Sequence, residues 1–185
     1  MSESTKLKEL ILYVAQKSEG DPSFGATKLN KILFFADFAY YRQNQRSLTG
    51  HPYVKLEHGP APQNFPAIRD EMIAAGELAI QRTERFQDRV QRRAIALRDA
   101  NLTLFSGDEI ALVDQVIAEL WNRNARESSE LSHRFIGWKV ALEGEVIPYQ
   151  TALIVDRALT EDEQVWATEM RTRLTDSAAD APTSH

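Results

Sequence analysis

Apolar residues recur at helical spacing from the start of the chain. Leu7, Leu10, Ile11 and Val14 fall on one face with lysine and glutamate opposite, which predicts an amphipathic helix capped by Ser4. Gly20, Pro22 and Gly25 in "SEGDPSFG" then break the pattern. Thr27 is placed to cap a second helix. Its stripe of Leu29, Ile32, Leu33, Ala36 and Tyr40 is widened by Phe34, Phe35, Phe38 and Tyr41 to most of the circumference. A helix apolar nearly all round belongs in an interior, so the fold is expected to be built around this one.

Further along, "YVKLE" alternates briefly and predicts a short strand. The stretch "KLEHGPAPQNF" (Lys55 to Phe65) follows as a rigid corner, with His58 fixing it by a hydrogen bond. Pro60 biases Gly59 toward extended or turn geometry. Asn64 is placed to cap the next helix, about Phe65 to Ala75, with Pro66 in its first turn and Gly76 ending it. From Glu77 to Leu97 the period becomes two, which predicts an antiparallel hairpin with "TERFQDR" as a long loop. Ser106 and Glu109 form a capping box ahead of Ile110, Val113, Ile117, Leu120 and Trp121. A short helix is expected over "SSELSHRF" after a serine cap, and "EGEVIPYQTAL" reads as a turn, a brief extended piece and a helix start. "TEDE" at Thr160 predicts a last helix carrying Val165, Trp166, Met170 and Leu174, before a tail expected to be disordered. The pattern predicts an α+β fold: a mostly helical single domain around a buried central helix, with a small antiparallel sheet or hairpin.

Composition changes this picture little. Of 185 residues, 43% are hydrophobic and 26% charged, which is enough to fill a core. The net charge of −5 argues against a surface given over to nucleic acid or an anionic membrane. The absence of cysteine removes disulfides, thiolate nucleophiles and thiolate-held zinc. "MSESTKLKEL" lacks the features of a secretory signal, and no apolar run nears the roughly 20 residues that span a bilayer, so a cytoplasmic protein is expected.

Candidate chemistry is sparse. His51, His58 and His133 are far apart, and without HExxH or an i,i+4 pair a zinc-dependent hydrolase has little support. Glu57 and His58 are neighbours on an extended run and point to opposite faces, a poor arrangement for sharing a proton. No nucleophile elbow and no glycine-rich phosphate loop occurs. The segment "RTERFQDRVQRRAIALR" is a basic island in an acidic chain. It reads as a docking strip for an acidic partner or, more simply, as charge protecting a sheet edge. Arg92 is expected to face solvent with Ala94 and Ala96, and Arg93 to lie on the apolar side with Ile95 and Leu97, needing a carboxylate partner.

Four fragments in order, "TKLNKILFFADFAYY", "YVKLEHGPAPQNF", "GELAI" and "ELSHRFIGWKVALEGEVIPY", resemble the Panacea domain of SocA-like antitoxins. The resemblance covers roughly Ser4 to Leu153. It rests on Lys28, Leu29 and Lys31, on Gly59 and Pro60, and on Ser132, His133, Trp138, Ile147, Pro148 and Tyr149. It implies an antitoxin domain over 4–153; the pattern beyond the family motifs predicts a C-terminal helical extension over 154–175 and a disordered tail over 176–185. It implies a bacterial or phage protein that neutralises a co-encoded protein toxin by direct contact, with no catalytic residues, cofactor or metal. An alternative is an adaptor that presents a bound partner to a ClpXP-type protease. Lys28, Lys31, His58, Gly59, Pro60, His133, Trp138, Pro148 and Tyr149 are the candidate partner-binding positions.

Overall fold

A computed structural model describes residues 3–85 and 89–154, which belong to one compact unit ending at Ile154. The expected helix from Thr160 and the tail lie outside the described residues. Six α-helices are described: α1 (Glu3–Lys17), α2 (Ala26–Asn44), α3 (Phe65–Ala74), α4 (Gly107–Leu120), α5 (Ala125–His133) and α6 (Ile136–Val140). Strands β1 (Tyr53–Val54), β2 (Ala61–Pro62) and β5 (Val146–Ile147) form one antiparallel sheet in the order β2-β1-β5, and β3 (Leu78–Arg85) pairs with β4 (Arg89–Ala96) as a hairpin. The architecture is α+β. No described helix is long and apolar enough to cross a membrane.

The all-round apolar helix is the centre, as its pattern predicts. α2 touches α1, α4, α5, β2, β4 and the 3-10 turn Tyr149–Leu153. Leu29, Ile32, Leu33, Phe34, Ala36 and Phe38 are all buried. Phe34 and Phe38 lead an aromatic cluster, with ring centroids 5.1 and 5.2 Å from Phe135 and 4.7 Å between Phe38 and Tyr149. Such pairs each add about 0.5–1.5 kcal/mol to the burial of their surface. β5 completes the small sheet by pairing Tyr53 with Ile147 and Val54 with Val146, so α2, the corner strands and the late segment share one core. Pro62 lies on β2, an edge strand, where its missing N–H is tolerated.

Several local expectations need correction. α1 already includes Glu3, so Ser4 lies within its first turn and is not its cap. α2 starts at Ala26 with Gly25 as cap, one residue ahead of the expected Thr27. Asn64 does precede α3, but its backbone is left-handed (φ 56°) and its side chain makes no cap bond; Pro66 and the positive-φ Gly76 are as expected. "YVKLE" forms a ladder only over two residues, after which the chain turns into the corner. α4 carries the Ser106–Glu109 capping box as predicted, whereas α5 is capped by Asn124 with Glu127, not by a serine.

The hairpin also differs from its pattern. The ladder runs to Arg85–Arg89, so most of the expected loop is strand. Ala94 is buried and Leu97 is 55% exposed, the reverse of the expected facing. Small alanines fit where β4 meets the helices, and Leu97 lies where the strand leaves them. Arg93 finds backbone carbonyls, not a carboxylate: it donates to Ser18 O (2.7 Å), Asp21 O (2.9 Å) and Glu19 O, and lies over the Phe24 ring. These carbonyls follow the end of α1, where a cation complements the helix dipole. Arg98 bridges Glu9 and Glu77 at 2.7 Å each and holds the Glu9 carboxyl below its usual range. Two arginines of the basic island are thus structural, while Arg82 and Arg92 are exposed.

Candidate functional site

Among the apolar residues of α2 lie two buried lysines and a buried aspartate: Lys28, Lys31 and Asp37. Their environments differ. The Lys28 ammonium pairs with the Asp21 carboxylate and donates to Trp121 O at 2.7 Å, with both charged groups nearly without solvent contact. It ties the loop after α1 to the C-terminal end of α4. Asp37 accepts from Thr49 N (2.8 Å), Thr49 Oγ1 (2.6 Å) and Tyr53 Oη (2.8 Å). Burial pushes its carboxyl up and those hydrogen bonds pull it down, with burial prevailing.

Lys31 is only 2% exposed, yet among the described residues its one hydrogen bond is to Pro60 O at 3.0 Å. Among the described residues no carboxylate lies within ion-pairing distance of it. Burial alone lowers its ammonium to about 7. A cavity of about 320 Å³ lies beside it, lined by residues from the start of α2, the corner and the α6–β5 turn, among them Asn30, Leu56, Glu57, His58 and Glu143.

The corner is shaped to admit the lysine. Gly59 takes the turn rather than the extended alternative, with φ +98°, and a Cβ there would lie 2.7 Å from Lys31 Nζ and closer still to Ser132 Oγ. Only glycine meets both demands. His58 fixes the corner through its main chain and not its ring: Ser129 Oγ on α5 donates to His58 O at 3.1 Å, and the ring is exposed. Ser132 is fully buried and donates to Ser129 O.

His133 stacks on Trp138 with centroids 4.0 Å apart and planes within 15°. The Lys55 ammonium lies 4.4 Å from the same indole, whose Nε1 donates to Leu56 O. Burial, then the nearby Lys31 charge, lowers the His133 imidazole, and its buried Nε2 has no hydrogen-bond partner among the described residues.

The candidate positions therefore separate into three places. Lys31, His58, Gly59, Pro60, His133 and Trp138 surround or adjoin the cavity. Lys28 is sealed in its ion pair. Tyr149 packs against the aromatic core, stacking on Phe38 and Tyr41 and donating to His51 O at 2.6 Å, whereas Pro148 is exposed and caps the 3-10 turn that carries it. His51 Nε2 is engaged by Gln63 O, and among the described residues no group of three or more His, Asp or Glu is placed to hold a metal. The buried acids Asp21 and Asp37 escaped sequence reasoning. An acid inside the run "FFADFAYY" is the signal that could have found the second.

A family model described as antitoxin SocA-like, Panacea domain, matches residues 29–139. The chain belongs to this family. The match takes in Lys31, the Gly59–Pro60 corner, His133 and Trp138; Lys28, Pro148 and Tyr149 lie outside it. No curated protein and no solved structure matches the chain.

Proposed function

We propose that this Panacea-domain protein is an antitoxin that acts in the cytoplasm, neutralising a co-encoded protein toxin by direct binding and without catalysis of its own. The family match carries the proposal. A face suited to protein contact supports it. Val140, Leu142 and Val146 are exposed around the α6–β5 turn, Leu142 at 74%, with Leu56 at the neighbouring end of the corner. Exposed large apolar side chains gathered in one region favour protein partners. We further propose that the domain runs over residues 4–153. α1 and β5 supply Leu7, Leu10, Ile11 and Ile147 to the shared core, so a fragment limited to the matched residues would lack part of its interior.

Co-expression with the neighbouring gene product tests this reading. A neighbour that is toxic alone, is rescued by this protein and copurifies with it is the expected outcome. A harmless neighbour, or rescue without binding, would overturn it. Rescue accompanied by a protease-dependent fall in the neighbour's lifetime would replace occlusion with adaptor-style delivery to a ClpXP-type protease.

A further inference from the structure

The cavity at the start of α2 has polar groups that the fold itself leaves incompletely bonded. Lys31 brings an amine with donors to spare, held by one carbonyl and facing no described carboxylate. Asn30 Oδ1, from the preceding residue of α2, is buried and has no hydrogen-bond partner among the described residues. The first turn of α2 contains no acidic residue, so its N–H groups add favourable potential for an anion. Buried polar groups are rarely left unbonded in proteins. An occupant satisfying all three would bring a carboxylate for Lys31 and a donor for Asn30. An acidic residue within a peptide chain carries both, in its side chain and its backbone N–H. The volume of about 320 Å³ suits one such side chain with its adjoining backbone. Leu56 lines the cavity and belongs to the exposed apolar region, and Glu143 lines it from the position next to Leu142, so a partner covering that region would reach the opening.

We infer that this cavity receives an acidic side chain of a protein partner, with its carboxylate on Lys31 and a neighbouring N–H on Asn30. The inference rests on the reading of the chain as a protein-binding antitoxin. Glu57 and Glu143 at the opening oppose an anion, so the partner must reach past them to the buried amine. Since Lys31 loses its proton near 7 in the empty cavity, binding couples to proton uptake and weakens as pH rises above that value. The other charged or titratable groups around the site are Glu57 and His58 on the corner, Lys55, Glu143 on the α6–β5 turn, and Glu130 and His133 on α5.

The test is NMR of the full chain with lysine and backbone labels, titrated with the blocked peptide acetyl-Gly-Asp-Gly-amide, its Asn counterpart, and sodium acetate. Saturable shifts at Lys31, Asn30 and Gly59 are expected with the Asp peptide and absent with the Asn peptide. Affinity should be roughly 25-fold weaker at pH 8.5 than at pH 6.5, through loss of the Lys31 proton. That dependence should persist in His58→Gln and vanish in Lys31→Met. Glu143→Gln, on the exposed turn, should tighten the Asp peptide by about twofold. Equal shifts from the Asn peptide, no saturable shift from the Asp peptide, or binding of acetate alone would overturn the assignment. Because no toxin is used, toxin neutralisation without peptide binding would sink this inference and leave the antitoxin reading standing. Peptide binding without neutralisation would do the reverse.

Discussion

Lys28 and Lys31 lie within one turn of the same helix, are equally hidden from solvent, and live in opposite electrostatic circumstances. Lys28 is closed off by a carboxylate and a helix-end carbonyl. Lys31 has one carbonyl and a cavity. A buried ion pair can roughly offset the desolvation of its members, whereas an isolated buried ammonium cannot and gives up its proton more readily. The difference teaches that burial alone does not define a structural lysine. One of these holds the fold together, and the other remains incompletely satisfied next to the opening where a partner can approach.

The largest expected effect strikes the closed end. Lys28→Met strands the Asp21 carboxylate in the interior and should cost about 3–5 kcal/mol in urea unfolding. A loss under 1 kcal/mol would show that the pair is not what closes this end. Gly59→Ala comes next. It forces a Cβ into Lys31 and Ser132 at a positive φ and should cost roughly 1–3 kcal/mol by the same measurement. Pro60→Ala loosens the same corner and is expected to weaken stability and partner binding together; lost binding at unchanged thermal stability would make the corner a direct contact.

Lys31→Met should have the opposite sign to Lys28→Met. At pH 6 it removes a charged amine from a buried site and should leave the protein as stable or more stable, by on the order of 1 kcal/mol. The sign follows from linkage. The Lys31 ammonium is lowered in the folded state, so between about 7 and its unfolded value of 10.5 the unfolded chain binds more protons. Wild-type stability therefore gains from Lys31 as pH rises from 7 to 9, by at most about 1.4 kcal/mol per pH unit, and the mutant lacks this gain. Chemical denaturation at several pH values checks it; identical slopes for the two proteins would remove the contrast between the lysines. The smallest effect belongs to Arg92→Glu on the exposed hairpin, expected within about 0.5 kcal/mol of wild type.

The sequence made the centre of this fold legible because a helix packed on all sides must be apolar on all sides, and α2 announces that through Leu29 to Tyr41. The Ser106 capping box was equally readable, since both of its bonds are made within four residues. Features that depend on distant partners were not. Arg93 is satisfied by carbonyls some seventy residues earlier, and no local pattern distinguishes those from a carboxylate. The three-stranded sheet joins two-residue strands too short to show a period. At the candidate site, the lysines and the glycine–proline corner were visible as motif residues. The contrast between the lysines was not, because it is set by Asp21 on one side and by the absence of any such acid among the described residues on the other.

The most direct measurement is the titration of Lys31 in the intact chain, followed by the 13Cε and 15Nζ resonances assigned through the backbone. An uncompensated amine beside an open cavity predicts a midpoint near 7, as burial dictates. A midpoint above 10 would mean that Lys31 is charge-compensated or hydrated in solution and would contradict the account.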